Sequence, residues 1–267
     1  MELHSASNRQ QTLLRKLNRK KYREKERLFL LEGSRAVLQV LHHGEIAVEA
    51  LFFDESQQYW HRTEWKRVAR DLKSRRLSAE LFAEVSDTDT PQGVLALCRI
   101  PEEATAGELA AQQRVVIAVD GIQDPGNMGT IIRTASWFGA GGLVSGKGTV
   151  DLFHPKVVRS TAGATGTVPH LNGDLTALLP DFESAGWKVY LLDAGAGSKP
   201  LTEIANTGKS LLVVGNEAHG IQSELEDTER TKVRIPSGSA RPEVESLNAA
   251  IATSIALYAF STEAGRR

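Results

Sequence analysis

Between Arg27 and Phe53 the chain runs through an apolar stretch, an amphipathic stretch and a second apolar stretch. These are Leu28–Leu31, then Gly33–His43 with Ala36, Val37, Val40 and Leu41 at helical spacing, then Ala47–Phe53. The pattern predicts strand, helix, strand, a small α/β module. A second helix is expected through Trp60, Trp65, Val68, Ala69 and Leu72, followed by short strands around Ala83–Val85 and Val94–Leu97. Pro101–Gly107 then breaks both periodicities with proline, glycine and charge, which reads as the core of a linker over 101–113. Beyond it, Val115–Val119, Gly141–Ser145, Lys188–Leu192, Ser210–Val214 and Lys232–Ile235 are short and apolar, with helical stretches between them. That alternation predicts a buried parallel sheet. The expected layout is therefore an α/β chain: a basic N-terminal helix and small α/β domain over 1–100, the linker, and a parallel-sheet domain over 114–267. A last helix, Leu247–Phe260, is apolar nearly all round, and predicts burial, partly against a second subunit.

With 267 residues of which 41% are apolar, the chain can bury one large core or two modest ones. No run of 18 apolar residues predicts a membrane span, and the first residues lack the apolar core of a signal peptide, so the cytoplasm is the expected location and no membrane partner is expected. Cys98 stands alone, which leaves no intrachain disulfide or cysteine-based zinc site; it reads as a small buried apolar residue. The net charge of −1 hides an asymmetry. Residues 1–30 hold nine basic and three acidic side chains, so the remainder is net acidic. Such a concentration suggests a polyanion, with Arg15, Arg19, Lys20, Lys21 and Arg23 as candidate RNA contacts; the alternative is a solvated helix face.

Three separated segments carry the candidate chemistry. Asp120–Arg133, Val214–Ile221 and Ser246–Asn248 each place polar or glycine-rich residues directly after an apolar run, where parallel α/β sheets form their binding sites. In the first, Asp124-Pro-Gly reads as a tight turn and Asn127 as a helix N-cap, with Ile131, Ala135 and Phe138 inward and Gly139 as the stop. Arg133, between inward positions, reads as buried and in need of a carboxylate or phosphate; a structural acid and a substrate phosphate both satisfy it. In the second, Gly215, Asn216, Glu217 and Gly220 sit at a strand exit where missing side chains let a ligand approach, although glycine also simply marks turns. In the third, Ser246 reads as the N-cap of the last helix, leaving Asn248 without a role in helix formation. The near P-loop Gly141–Gly148 has glycine where the magnesium-binding hydroxyl belongs, and no Gly-x-Gly-x-x-Gly follows Val119. The scattered histidines show no metal-ligand spacing, so no metal is expected.

At these segments the sequence resembles the SpoU (TrmH-like) branch of the SPOUT RNA methyltransferases. The match rests on an asparagine and an arginine six apart, on Gly-Asn-Glu-x-x-Gly and on Ser-Leu-Asn, in order, over Arg114–Phe260; Pro155–Ala164 also looks like the family's intervening helix. The N-terminal module is similar in layout to the substrate-binding domain often fused ahead of it. The resemblance implies a 2′-O-methyltransferase that moves a methyl group from S-adenosylmethionine to a ribose hydroxyl of RNA, a deep C-terminal trefoil knot, and a homodimer formed through that knotted domain. It implies Arg133 and Asn127 as the central catalytic pair, completed by Glu217, Ser246 and Asn248. It places cofactor contacts at Gly215, Asn216, Gly220, Ile235 and Leu247, with Asp193 and Ala194, largely through backbone groups. One departure is the stretch Ser237–Glu245, a few residues longer than the family's usual linker, in which Arg241 and Glu243 either cap the cofactor or are solvated.

A ribose hydroxyl must lose its proton to attack, whereas a sulfonium methyl is already activated; the protein's task is alignment and proton removal. With a pKa above about 12, Arg133 is expected to bind the target phosphate and stabilise the alkoxide, oriented by Asn127 and Glu217. Ribosomal RNA is the preferred substrate and no DNA is expected. Transfer RNA, methylation of a base nitrogen, and a non-catalytic RNA-binding assembly factor remain the alternatives at this point.

Overall fold

The computed structural model describes residues 2–195, 197–204, 208–227, 230–239 and 244–264. They form two compact units, Met1–Glu102 with Asp151–Thr167, and Glu103–Val150 with Val168–Arg267.

The first unit opens with α1 (Asn8–Leu17), started by a capping box between Ser7 and Gln10 and seated on Leu14 and Leu17. α2 (Lys20–Glu26) ends where Arg27 turns left-handed, at φ 55°. β1 (Leu28–Glu32), α3 (Ser34–His43), β2 (Val48–Asp54), α4 (Thr63–Asp71), β3 (Ser74–Leu77), α5 (Ala79–Val85) and β4 (Val94–Arg99) follow. The sheet order is β1-β4-β2-β3, with β4 antiparallel to both neighbours and β3 parallel to β2 at the edge. Both faces are buried: Leu28, Leu30, Phe52 and Leu97 pack with Leu14, Leu17 and Phe82, while Phe53 meets Trp65 edge-on at 5.5 Å. The strand expected at Ala83–Val85 is instead the end of α5, because Ser78 accepts from Leu81 N at 3.3 Å and starts a helix four residues earlier.

In the second unit, α6 (Ala106–Ala111) stands inside the span read as a linker: Thr105 and Glu108 form a capping box and Leu109 is fully buried. β5 (Val116–Asp120), α7 (Pro125–Trp137) and β6 (Gly142–Ser145) come next. α8 (Pro155–Ser160) lies within the segment grouped with the first unit. The chain continues through β7 (His170–Asn172), α9 (Leu175–Ser184), β8 (Lys188–Leu192), β9 (Lys199–Pro200), β10 (Ser210–Gly215), β11 (Thr231–Arg234) and α10 (Ala249–Ala264). The sheet order is β7-β6-β5-β10-β8-β11-β9 and every pairing is parallel. Its central strands are buried nearly throughout, which is why they read as unbroken apolar runs.

The segment Asp151–Thr167 is integral to the first unit. Asp151 accepts from the Arg23 guanidinium, Phe153 lies 5.0 Å from Phe29, Arg159 donates to Asp87, and His43 Nε2 donates to the Gly163 carbonyl at 3.1 Å. Arg23 is 2% exposed, so its grouping with the RNA-facing cations is corrected: it is a buried structural cation whose partner, Asp151, is half-buried. Cys98 is buried, and burial pushes its thiol pKa upward. For the last helix, burial within the chain accounts for one side only. α10 buries Ala249, Ala250, Thr253, Ala256 and Leu257, but Ile251 and Tyr258 are 50% and 59% exposed. With Leu247, Ile255 and Trp137 they leave an open apolar face along α7 and α10.

Candidate functional site

β5 and β10 are parallel neighbours, with Val119 opposite Val214 and Asp120 opposite Gly215, so the first two motifs leave the sheet side by side. Hydrogen bonds join the two exits. The buried Asp120 carboxylate accepts from Gln222 N at 2.7 Å and from the Gln222 side-chain amide, and Asn216 Nδ2 donates to the Gly121 carbonyl at 2.6 Å. Asn216 and Gly220 exchange both backbone bonds, at 2.9 and 2.8 Å, closing the Glu217-Ala-His turn. A Cβ on Gly215 would stand 2.3 Å from the Gly220 carbonyl carbon, so closure of this turn alone demands glycine there. Asp120 and Gln222 were not predicted as functional; the signal was an acid at the last position of a buried strand, which needs a named partner.

Asp124, not Asn127, is the N-cap of α7: its carboxylate accepts from Asn127 N at 2.7 Å, which leaves the Asn127 side chain free of the helix. That amide is held from both ends. Its Nδ2 donates to Glu217, and its Oδ1 accepts from Asn248 Nδ2 at 2.9 Å. Asn248 in turn caps α10, accepting from Ala250 N at 3.0 Å and Ile251 N at 3.2 Å, in the role expected of Ser246. One residue from each of the three segments therefore meets in a single line, Asn248 to Asn127 to Glu217, with both amide orientations fixed by their partners.

Ser246 and Arg133 are not drawn into that line. Ser246 is exposed. Arg133 is exposed too, which corrects the expectation of burial: Ile131, Ile132 and Ala135 take the inward positions of α7 and turn Arg133 outward. Six residues along a helix is about 240° of rotation, so Arg133 cannot face the way Asn127 does. It shares its side of α7 with Trp137, four residues on, which is 83% exposed. No ion pair to Arg133 is formed among the described residues.

The expected cofactor residues occupy one edge of the sheet. β10, β8 and β11 are consecutive parallel neighbours, which sets the exits at Gly215, Asp193–Ala194 and Ile235 in a row. Ile235 is half-buried, and Ala194 and Leu247 are exposed, so apolar groups remain open there. Asp193 is committed to its own loop, accepting from Gly195 N at 3.1 Å and Ser198 Oγ at 3.2 Å. Arg241 and Glu243 lie outside the described residues. In the first unit Arg19, Lys20 and Lys21 are exposed, Lys21 lies 5.0 Å from the Tyr22 ring, and Arg15 donates to Glu84 at 2.8 Å.

The two duties of Asn248 separate by substitution. An Asn248→Asp variant keeps the capping oxygen and loses the donor to Asn127, so it is expected to unfold within about 0.5 kcal/mol of wild type. Asn248→Ala loses both and should fall by about 1 kcal/mol. Thermal unfolding of the two variants checks this; equal losses would mean the cap is unimportant.

The SpoU rRNA Methylase family model matches residues 114–258, and the MRM3-like substrate binding domain model matches residues 8–96. The chain is 34% identical, over 96% of its length and 98% of the relative's, to the 23S rRNA (guanosine(2553)-2′-O)-methyltransferase RlmP of Bacillus subtilis. An AdoMet-bound rRNA methyltransferase from Sinorhizobium meliloti superposes with a TM-score of 0.79 at 29% identity, covering 98% of this chain and 97% of that one. The SpoU methyltransferase AviRb from Streptomyces viridochromogenes shares the fold, with a TM-score of 0.82 at 24% identity over 98% and 99% of the two chains.

Proposed function

The chain belongs to the SpoU rRNA methylase family, and from that membership we propose that it transfers a methyl group from S-adenosylmethionine to a ribose 2′-hydroxyl of ribosomal RNA. The observation that carries the reading is the line of Asn248, Asn127 and Glu217, assembled from three segments at the exits of β5 and β10. Ribosomal rather than transfer RNA is supported by the names of the full-length relatives, the Bacillus protein among them. The cytoplasm is the location proposed.

The row of strand exits fits an adenosyl ligand. Asn216 and Gly220 spend their backbone N–H groups on each other, so polar contacts there fall to the remaining lone pairs of their carbonyls and to the Gly215 backbone, while Ile235 and Leu247 offer apolar surface that the fold leaves open. When bound, S-adenosylmethionine supplies a methyl group made electrophilic by its sulfonium. The remaining work falls to the protein. Asn127, fixed by Glu217 and Asn248, orients the ribose. From the other side of α7, Arg133 grips the adjoining phosphate through its planar fork and stabilises the alkoxide as the 2′-hydroxyl proton passes to water, and Ser246 adds an exposed hydroxyl.

The proposal includes a trefoil-knotted second unit and a homodimer. Trp137, Leu247, Ile251, Ile255 and Tyr258 form the apolar face along which a second copy pairs. Arg133 lies on the Trp137 side of α7, so pairing decides what its guanidinium meets.

The test is transfer of labelled methyl to unmodified ribosomal and transfer RNA, followed by digestion to nucleosides. Label in 2′-O-methylnucleosides from ribosomal RNA is the expected result. Label on a base, label confined to transfer RNA, or no label in either RNA overturns the reading.

A further inference from the structure

The cations of residues 1–30 are not the only concentration in the first unit. Residues 62–76 hold seven basic side chains and two acidic ones. α4 buries Trp65 and Ala69 and turns Arg62, Lys66 and Arg70 outward at successive four-residue intervals, a stripe about 12 Å long; the exposed Lys73 follows two residues after the helix ends. Of the two acids, Asp71 pairs with Arg67 at 3.6 Å. Among the described residues no carboxylate forms an ion pair with Lys66, Arg70 or Lys73. Like charges four apart on a helix cost a few tenths of a kcal/mol each, and here the fold supplies nothing to offset them. A mixed-sign surface would serve solubility as well, so the single sign points to an external polyanion.

Two further observations shape the partner. The Arg62 guanidinium lies over the Tyr59 ring at 3.7 Å from its centroid, which fixes the planar fork and leaves Arg62 exposed. The edge strand β3 adds Arg75 and Arg76, and the chain's N-terminal residues pair onto it: Arg76 N donates to His4 O and Ala6 N to Arg76 O, both at 3.0 Å. α1 begins two residues later and crosses the opposite face of the sheet from α4, so its cations belong to a separate surface. Among the described residues the Phe and Trp rings of the first unit are buried, and its two half-buried tyrosines each carry a cation over the ring, Lys21 on Tyr22 and Arg62 on Tyr59, so little ring surface is left on which single-stranded bases would stack. Duplex RNA is instead held by its phosphates and 2′-hydroxyls.

Resting on the function proposed above, we infer that α4 and β3 form a phosphate-binding surface that holds a duplex stem of the ribosomal RNA substrate. Lys66, Arg70, Lys73 and Arg62 are its contacts to the RNA backbone, so this surface contributes affinity and position.

The experiment replaces Lys66, Arg70 and Lys73 together by Gln, three exposed positions outside the methyl-transfer site. Binding of an unmodified large-subunit ribosomal RNA transcript is measured across about 50–200 mM salt, beside cofactor affinity and methyl transfer. The expected result is at least a tenfold loss of RNA affinity, a salt slope shallower by about two to three, and unchanged cofactor affinity. An unchanged slope and affinity overturns the surface. So does a loss seen with assembled ribosomal subunits but not with the bare transcript, which would mark an acidic protein partner. Wild-type protein that transfers methyl while the triple variant matches it in RNA binding sinks this surface alone. Wild-type protein that binds the transcript without modifying it, while the variant loses binding, sinks the catalytic reading and keeps the surface.

Discussion

An Arg133→Ala variant is expected to bind S-adenosylmethionine as wild type does and to lose methyl transfer by on the order of a hundred- to a thousandfold, the usual cost of removing one preorganised donor from a developing oxyanion. The expectation follows from where the side chain lies. Arg133 is exposed on α7, and Ile131, Ile132 and Ala135 carry the packing of that helix, so the substitution removes a functional group without opening a cavity. Stability should change by less than about 0.5 kcal/mol, which makes the kinetic loss interpretable. Arg133→Lys sharpens the test. It keeps the charge but replaces a planar fork with a single flexible ammonium, so a bidentate phosphate contact is lost while a general electrostatic one survives. Turnover of the Lys variant near that of wild type would contradict both the phosphate-fork role and any role of the guanidine as a base. Single-turnover kinetics with saturating cofactor is the measurement.

An Arg23→Ala variant is expected to destabilise the first unit by about 2–3 kcal/mol, below the range for removing one partner of a fully buried ion pair because Asp151 is half-buried and keeps the Phe153 N–H. The Arg23 guanidinium reaches Asp151 Oδ2 from Nε at 2.9 Å and from Nη2 at 2.5 Å, and its Nη1 donates to the Leu17 carbonyl at 2.8 Å. Alanine leaves the Asp151 carboxylate and a backbone carbonyl between α1 and α2 without these donors. Urea unfolding followed by tryptophan fluorescence reports it, since Trp60 and Trp65 lie in this unit. Arg23→Ala with Asp151→Ala should recover part of the loss, because no unpaired charge remains. A single-variant loss below about 1 kcal/mol would mean the pair is not the tie described.

The sequence made the central strands and the three motif turns legible for one physical reason. Strands covered on both faces must be apolar throughout, so the polar residues that follow them stand out. It failed where that reason lapses. β7 and β9 have three and two residues at the ends of the sheet, and β3 reads Ser-Arg-Arg-Leu because it is an edge strand with a solvated side. The candidate site was legible as a set of positions, but not as contacts. Nothing local distinguishes Ser246 from Asn248 as a cap; the choice is tied to an Asn127 amide 121 residues away. Burial of Arg133 was misread because the helix it belongs to is apolar on average, and Arg23 was misread because a charge count cannot say which cation of a run is turned inward.

The insertion of residues 151–167 into the first unit has a consequence for how the protein is made. Leu152, Phe153, Val157 and Val158 are buried, and they are encoded downstream of β5, α7 and β6. A ribosome translating this chain releases the four-stranded sheet early, yet its last piece of core emerges only after β5 and β6, two of the second sheet's seven strands. Until residue 167 is clear of the exit tunnel, Phe29 lacks Phe153 and the Arg23 cation lacks Asp151. The nascent N-terminal module is therefore a folding intermediate waiting on its neighbour, and graftable only with the insertion that completes it.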